Sequence, residues 1–148
     1  MLTAPEVMPL VLQACPSFST VWSSLQHDDL HVDEDGNRLH YADAAEVARH
    51  LVARFQAGAW DELRACFHVI ERLHLEGDPY VRELATIGYL EDIQNAAERE
   101  QIVGGATAFV PFLGVESARW WRGLSGFWAG EEPHVRAVDS TEDGSGSR

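Results

Sequence analysis

Lysine is absent from this chain. All 11 basic residues are arginine, set against 24 aspartates and glutamates, and the formal net charge is -13. Such a balance repels nucleic acid and anionic lipid, because both are held by clustered cations, so neither is expected as a partner. Cysteine is scarce, with only Cys15 and Cys66. Two lone thiols make neither a disulfide framework nor a thiolate metal cluster, and both are expected as free, small apolar side chains. No apolar run approaches the roughly 18 residues that span a bilayer. The start, Met1 to Glu6, lacks the basic residues and apolar stretch of a signal peptide, which makes a cytoplasmic protein the expectation. Several catalytic signatures are missing as well. The seven histidines show no H-E-x-x-H spacing, and there is no G-x-S-x-G elbow or phosphate-binding glycine loop.

What remains is an ordinary globular composition with helical periodicity over most of its length. At 148 residues the chain suits one domain. A first helix is predicted from Pro5 to Ala14, and Pro16 interrupts it. Ser17 is placed to cap a second helix carrying Phe18, Val21, Trp22 and Leu25 on one face. From Asp28 to Tyr41, apolar residues alternate on either side of Asp35-Gly36, a pattern that predicts a short β-hairpin near residues 30–41 or an acidic loop. Asp43 is then read as the N-cap of a helix to about Ala57, with Ala44, Val47, Ala48, Leu51 and Phe55 inward. A helix from about Ala59 to Glu76 turns Trp60, Leu63, Phe67, Ile70 and Leu73 inward. Asp78-Pro79 opens another, reaching about Glu100. After Gly104-Gly105 and an apolar stretch broken by Pro111, Val115 to Ala129 forms the last helix, with Trp121, Leu124 and Trp128 on one face. The expected fold is all-α: a bundle or short solenoid of antiparallel helical hairpins over residues 1–130. Residues 131–148, acidic and rich in Gly and Ser, are expected to form a disordered tail.

A few residues invite chemical readings. Asp33-Glu34-Asp35-Gly36 resembles part of a calcium loop, but that register puts His31 first and Ala42 last, where carboxylates are required. An exposed acidic turn fits better. Glu71-x-x-His74 matches half of a di-iron bundle motif, and no second copy exists. Glu46 and His50 lie four apart on one helical face. Advancing about 100° per residue from Val81 brings Leu84, Ile87 and Gly88 onto one stripe, with Glu91 near its middle and Asn95 at its edge. A carboxylate there must be paired, protonated or turned to a partner. Adjacent Trp120 and Trp121 point about 100° apart, so one is expected in the core and the other at the surface or over a neighbouring helix.

Two segments carry a family likeness. One is Ile70-Glu71-Arg72-Leu73-His74-Leu75-Glu76-Gly77-Asp78, running into Val81-Arg82-Glu83-Leu84 and Gly88-Tyr89-Leu90-Glu91-Asp92-Ile93-Gln94-Asn95. The other is Phe112-Leu113-Gly114-Val115-Glu116-Ser117, followed by Trp121, Leu124, Phe127 and Trp128. From Tyr41 to Trp128 the pattern resembles a family of small, largely uncharacterised bacterial helical proteins similar to immunity proteins of polymorphic and contact-dependent toxin systems. Many members would carry Pro after Gly114, where this chain has Val115. The resemblance implies an inhibitor that binds a cognate protein toxin, and an acidic inhibitor gains association speed against a basic nuclease. Expected contacts are Asp28, Asp29, Asp33, Glu34 and Asp35 in the loop, with Glu91, Asp92 and Trp120. Neither metal nor cofactor is expected. The competing expectations are a metal-dependent helical enzyme using Glu46, His50, Glu71, His74 and Glu91, and a regulatory protein-binding adaptor.

Overall fold

The computed structural model describes residues 1–26 and 28–140. Its fold is all-helical. In order come α1 (Ala4–Ala14), a 3-10 turn (Pro16–Phe18), α2 (Ser19–Leu25), α3 (His40–Gln56) and α4 (Trp60–Glu76). A continuous rod follows, made of α5 (Pro79–Glu83), a π-helical stretch (Leu84–Leu90) and α6 (Glu91–Arg99). A 3-10 helix (Gly105–Phe112) leads into α7 (Val115–Trp128). Among the described residues there is no sheet, only two isolated bridges.

Local chemistry sets the helix starts. Thr3-x-x-Glu6 closes a capping box on α1, with the Thr3 N–H donating to Glu6 Oε1 at 2.9 Å. Asp78 caps α5 by accepting from the Val81 N–H at 2.8 Å, and Pro79 at the first position forfeits no helical bond. The chain near Leu2 lies along the α4–α5 junction: the Leu2 N–H donates to Glu76 O, and the Asp78 N–H donates to Leu2 O, each at 2.8 Å. At the other end of α1, Ser17 reaches Glu62, so α1 runs antiparallel to α4.

One core joins these elements. Leu51, Leu63, Phe67, Ile70, Leu73, Leu90 and Ile93 are all fully buried, each contributing about 1.5–3 kcal/mol by leaving water. Gly88 lets the π stretch approach α3 closely, since a Cβ there would lie 2.9 Å from Leu84 Cδ1 and 3.3 Å from Ala44 Cβ. Both cysteines are buried and free, and Trp121 is buried. Two tryptophans expected inward are not buried. Trp60, at the first position of α4, is 43% exposed and stacks on Phe112, while Trp128, at the end of α7, is 58% exposed beside Phe127. Each sits at a helix end, where the inward stripe has run past its neighbours. Asp43 is not an N-cap. The helix starts three residues earlier at His40, and Asp43 is buried inside its first turn. That early start also leaves the expected hairpin a single antiparallel bridge, Val32 to Arg38, because too few extended residues remain to form a ladder.

Beyond Gly130 the chain turns back along α7 instead of leaving the fold as a tail. Val138 N–H donates to Arg119 O at 2.9 Å, Arg122 Nε donates to Val138 O at 2.8 Å, and Val135 packs on the core. The expected tail over 141–148 lies outside the described residues. This return depends on Gly123, where an added Cβ would fall 1.6 Å from the Arg136 carbonyl oxygen. Helix propensity alone favours Gly123→Ala by about 1 kcal/mol. The contact predicts the opposite sign: a lower Tm, and faster limited proteolysis after Gly130 with far-UV helicity unchanged.

Candidate functional site

The π stretch rearranges the site that periodicity predicted. In it the Glu91 N–H donates to Thr86 O, five residues back instead of four. The wider turn advances each residue by less than 100°, so the buried stripe slips in phase. After Val81, Leu84 and Ala85, burial passes to Tyr89 and Leu90 and then to Ile93, Ala96 and Ala97. Glu91 is thereby rotated from the stripe's expected centre to a half-buried position, and Asn95 to an exposed one. Among the described residues Glu91 has no hydrogen bond or ion pair, and burial alone raises its carboxyl above the ordinary range. Asp92 is pushed up to about 6, first by burial and then by Glu91, against the pull of Arg49 and Arg99. Arg49 pairs with Glu46, and Glu46 lies 3.7 Å from His31 Nε2. Asp92 thus faces the α3 flank to which the acidic loop is also attached.

Within that loop the five carboxylates differ. Asp33 is spent on the turn, accepting the N–H groups of Asp35 and Asn37 at 2.9 and 2.8 Å. These bonds hold its carboxyl below the usual range. Asp28 is half-buried and accepts the Leu30 N–H. Asp29, Glu34 and Asp35 are exposed. Beneath them is a cluster absent from the sequence expectations: Arg38 grips Asp43 with Nη2 at 2.6 Å and Nε at 3.1 Å, and His31 Nδ1 lies 2.8 Å from the same carboxylate. The Arg38 guanidinium also sits 4.5 Å over the Trp22 ring. Burial of Asp43 was visible in principle, since it stands four residues before Val47 on the apolar stripe.

Trp120 stands apart from this acidic edge. It is half-buried, its Nε1 donates to Glu116 at 3.2 Å, and it lines a groove of about 650 Å³ with Ile87, Arg82, Phe127, His134 and Val135. Thr86 closes the floor of that groove.

Below Thr86 runs a buried polar chain built from the Glu71-x-x-His74 pair. Ser117 O–H donates to Glu71 Oε1 at 2.8 Å, leaving its oxygen to accept from His74 Nδ1–H at 3.1 Å. His74 Nε2 is then the acceptor for the Thr86 hydroxyl at 2.9 Å. Glu71 also takes the N–H groups of Glu116 and Ser117, at the positive end of α7. Burial works to raise the Glu71 carboxyl, but these bonds outweigh it and hold it low; burial holds the His74 imidazole below its ordinary range. The bonding runs opposite to a nucleophilic triad, because the serine gives its proton to the carboxylate and is sealed from solvent. A third cluster joins Ser17 to Glu62 at 2.7 Å and to His50 Nε2 at 2.8 Å, with Arg54 beside Glu62. Glu46, His50, Glu71, His74 and Glu91 are therefore dispersed. Among the described residues no three metal-ligating side chains converge.

Compared with known families, residues 8–129 match a domain of unknown function (DUF7674). The chain belongs to that family. The matched span runs from inside α1 to one residue past α7, so the returning segment lies beyond it. No curated protein and no solved structure matches the chain.

The His74 chain makes two predictions. Replacing His74 by Ala strands the Thr86 hydroxyl, leaves a cavity in the core and should cost roughly 2–4 kcal/mol in denaturant unfolding. His74 has a folded pKa below its unfolded value, so its contribution is present above about pH 6.5 and is lost as pH falls. His74→Gln should lose less Tm than wild type between about pH 6.5 and 5; the residual slope combines His50, which burial shifts in the same direction, with Asp92, whose raised carboxyl acts in the opposite sense.

Proposed function

We propose that this chain is a protein-binding domain that works as an immunity-type inhibitor, covering a basic protein toxin with its acidic edge. The observation that carries this reading is the Glu91–Asp92 pair. Two adjacent half-buried carboxylates stand on the rod with raised proton affinity, and Glu91 has no partner among the described residues. A cation brought by a partner removes that penalty, so the pair is more comfortable in a complex than alone. Asp29, Glu34 and Asp35 extend the same sign of charge on the exposed loop. Asp28 and Asp33 shape that loop from within. Trp120 offers an apolar anchor in a separate groove.

A catalytic alternative finds less support. Each histidine–carboxylate grouping that could have carried chemistry ends in internal hydrogen bonds, as do Ser117 with Glu71 and Ser17 with Glu62. The family likeness in the α4–α6 and α7 segments and the net charge of -13 point the same way.

The test is binding to any basic protein encoded beside this chain, together with growth rescue on co-expression of the two. Neutralising Asp29, Glu34 and Asp35 together should slow association at least about tenfold, and salt near 300 mM should mask the difference. Glu91→Gln with Asp92→Asn should speed dissociation while leaving the fold intact. Absence of binding and rescue with the neighbouring product would sink the proposal. The pair also has a pH signature in the free protein. Asp92 carries a folded pKa of about 6 against an ordinary 3.8, so its stabilising contribution is present below the ordinary value and lost as pH rises through about 6. Asp92→Asn should therefore raise Tm at pH 7, with the gain shrinking toward about pH 4.5.

A further inference from the structure

A second cavity, of about 520 Å³, opens between α1 and the loop that precedes α3. Its walls are apolar: Val7, Met8 and Leu12 from α1, Trp22 from α2 and Leu84 from the π stretch. Its polar groups are largely committed. Arg38 and Asp43 are paired with each other, Asp43 also meets His31, and Arg38 Nη1 donates to Leu25 O at 3.3 Å. Two titratable lining side chains make no hydrogen bond among the described residues: His40, which meets the Tyr80 ring edge-on, and Tyr89, which is only 1% exposed. The Tyr89 hydroxyl is not among the sealed, unbonded polar atoms, where Arg54 Nε stands alone. The small surface left to Tyr89 thus includes the phenol oxygen, and the residue lines this cavity.

A phenol at the edge of an apolar chamber has no hydrogen-bond partner within the protein and is free to donate to a molecule that enters. We propose that the cavity binds a small, uncharged, mainly apolar molecule carrying one hydrogen-bond acceptor, such as a carbonyl, and that the Tyr89 hydroxyl donates to it. The volume lies in the range of small-molecule sites. Apolar walls and an Arg38–Asp43 pair closed on itself favour an uncharged ligand over a charged one. Burial raises the Tyr89 phenol, which keeps it protonated and able to donate. The cavity shares no residue with the acidic contact set, so this inference and the inhibitor reading stand or fall separately.

Ligand-observed saturation-transfer NMR on the full chain tests it with two probes of similar size, acetophenone with an acceptor and ethylbenzene without one. Acetophenone should bind the wild type. Tyr89→Phe should weaken it about five- to tenfold, leave ethylbenzene unchanged, and keep or raise Tm, because it deletes an unmatched hydroxyl. Met8→Trp, which fills the chamber, should abolish both signals; if that variant loses native circular dichroism, Leu12→Phe replaces it. The proposal is overturned if neither probe binds up to its solubility, if acetophenone binds equally well to Tyr89→Phe, or if binding survives the filled chamber.

Discussion

Between Leu84 and Leu90 the central rod hydrogen-bonds five residues back, and the identity of every side chain beyond that point on each face depends on it. The widened turn puts Thr86 beside His74, buries Tyr89, and swings Glu91 and Asp92 toward the edge. An α-helical rod of the same sequence would aim a carboxylate where Leu90 and Ile93 now pack. Burying that charge unpaired would cost more than the π turn's poorer geometry. The stretch is held in place because both sides need it: Gly88 admits α3 at close range, and the Thr86 hydroxyl locks into the His74 chain.

Around this rod the interior spends its polar groups thoroughly. Glu71, Ser117, His74 and Thr86 form one relay that fastens α4, α7 and the π stretch. Ser17, Glu62 and His50 fasten α1 to α3 and α4. Arg38, Asp43 and His31 fasten the acidic loop to α3. Each cluster ties two or three elements through a single carboxylate, at places where helical packing alone leaves angles open. Among the carboxylates not used in this way, those at 29, 34, 35, 91 and 92 lie at or near the surface, apart from the structural charge of the three clusters.

Helix number, order and most boundaries were legible because apolar spacing and Gly or Pro punctuation agree along the chain. Asp78-Pro79 and Gly77 marked α5, and the stripe Val47, Ala48, Leu51 marked the body and C-terminal end of α3, though not its early start at His40. Three things were not legible, each for a physical reason. Extrapolation at a fixed 100° failed across the π stretch, although Glu91 and Asn95 falling on the apolar stripe was itself the trace of a phase slip. Asp43 was misplaced because a residue that favours helix caps can also be buried beside an arginine, and Arg38 is near in space rather than in helical register. Neither cavity could be foreseen, since each is lined from elements far apart in sequence.

The strand of chain that returns along α7 brings His134 and Val135 to the groove where Trp120 lies. One wall of that groove is therefore contributed from outside the span that defines the family, which stops at residue 129. Relatives with the same seven helices but a different sequence past that residue would keep the aromatic floor and offer a differently shaped opening. The groove around Trp120 would then differ in shape between such relatives without any change to the helical bundle.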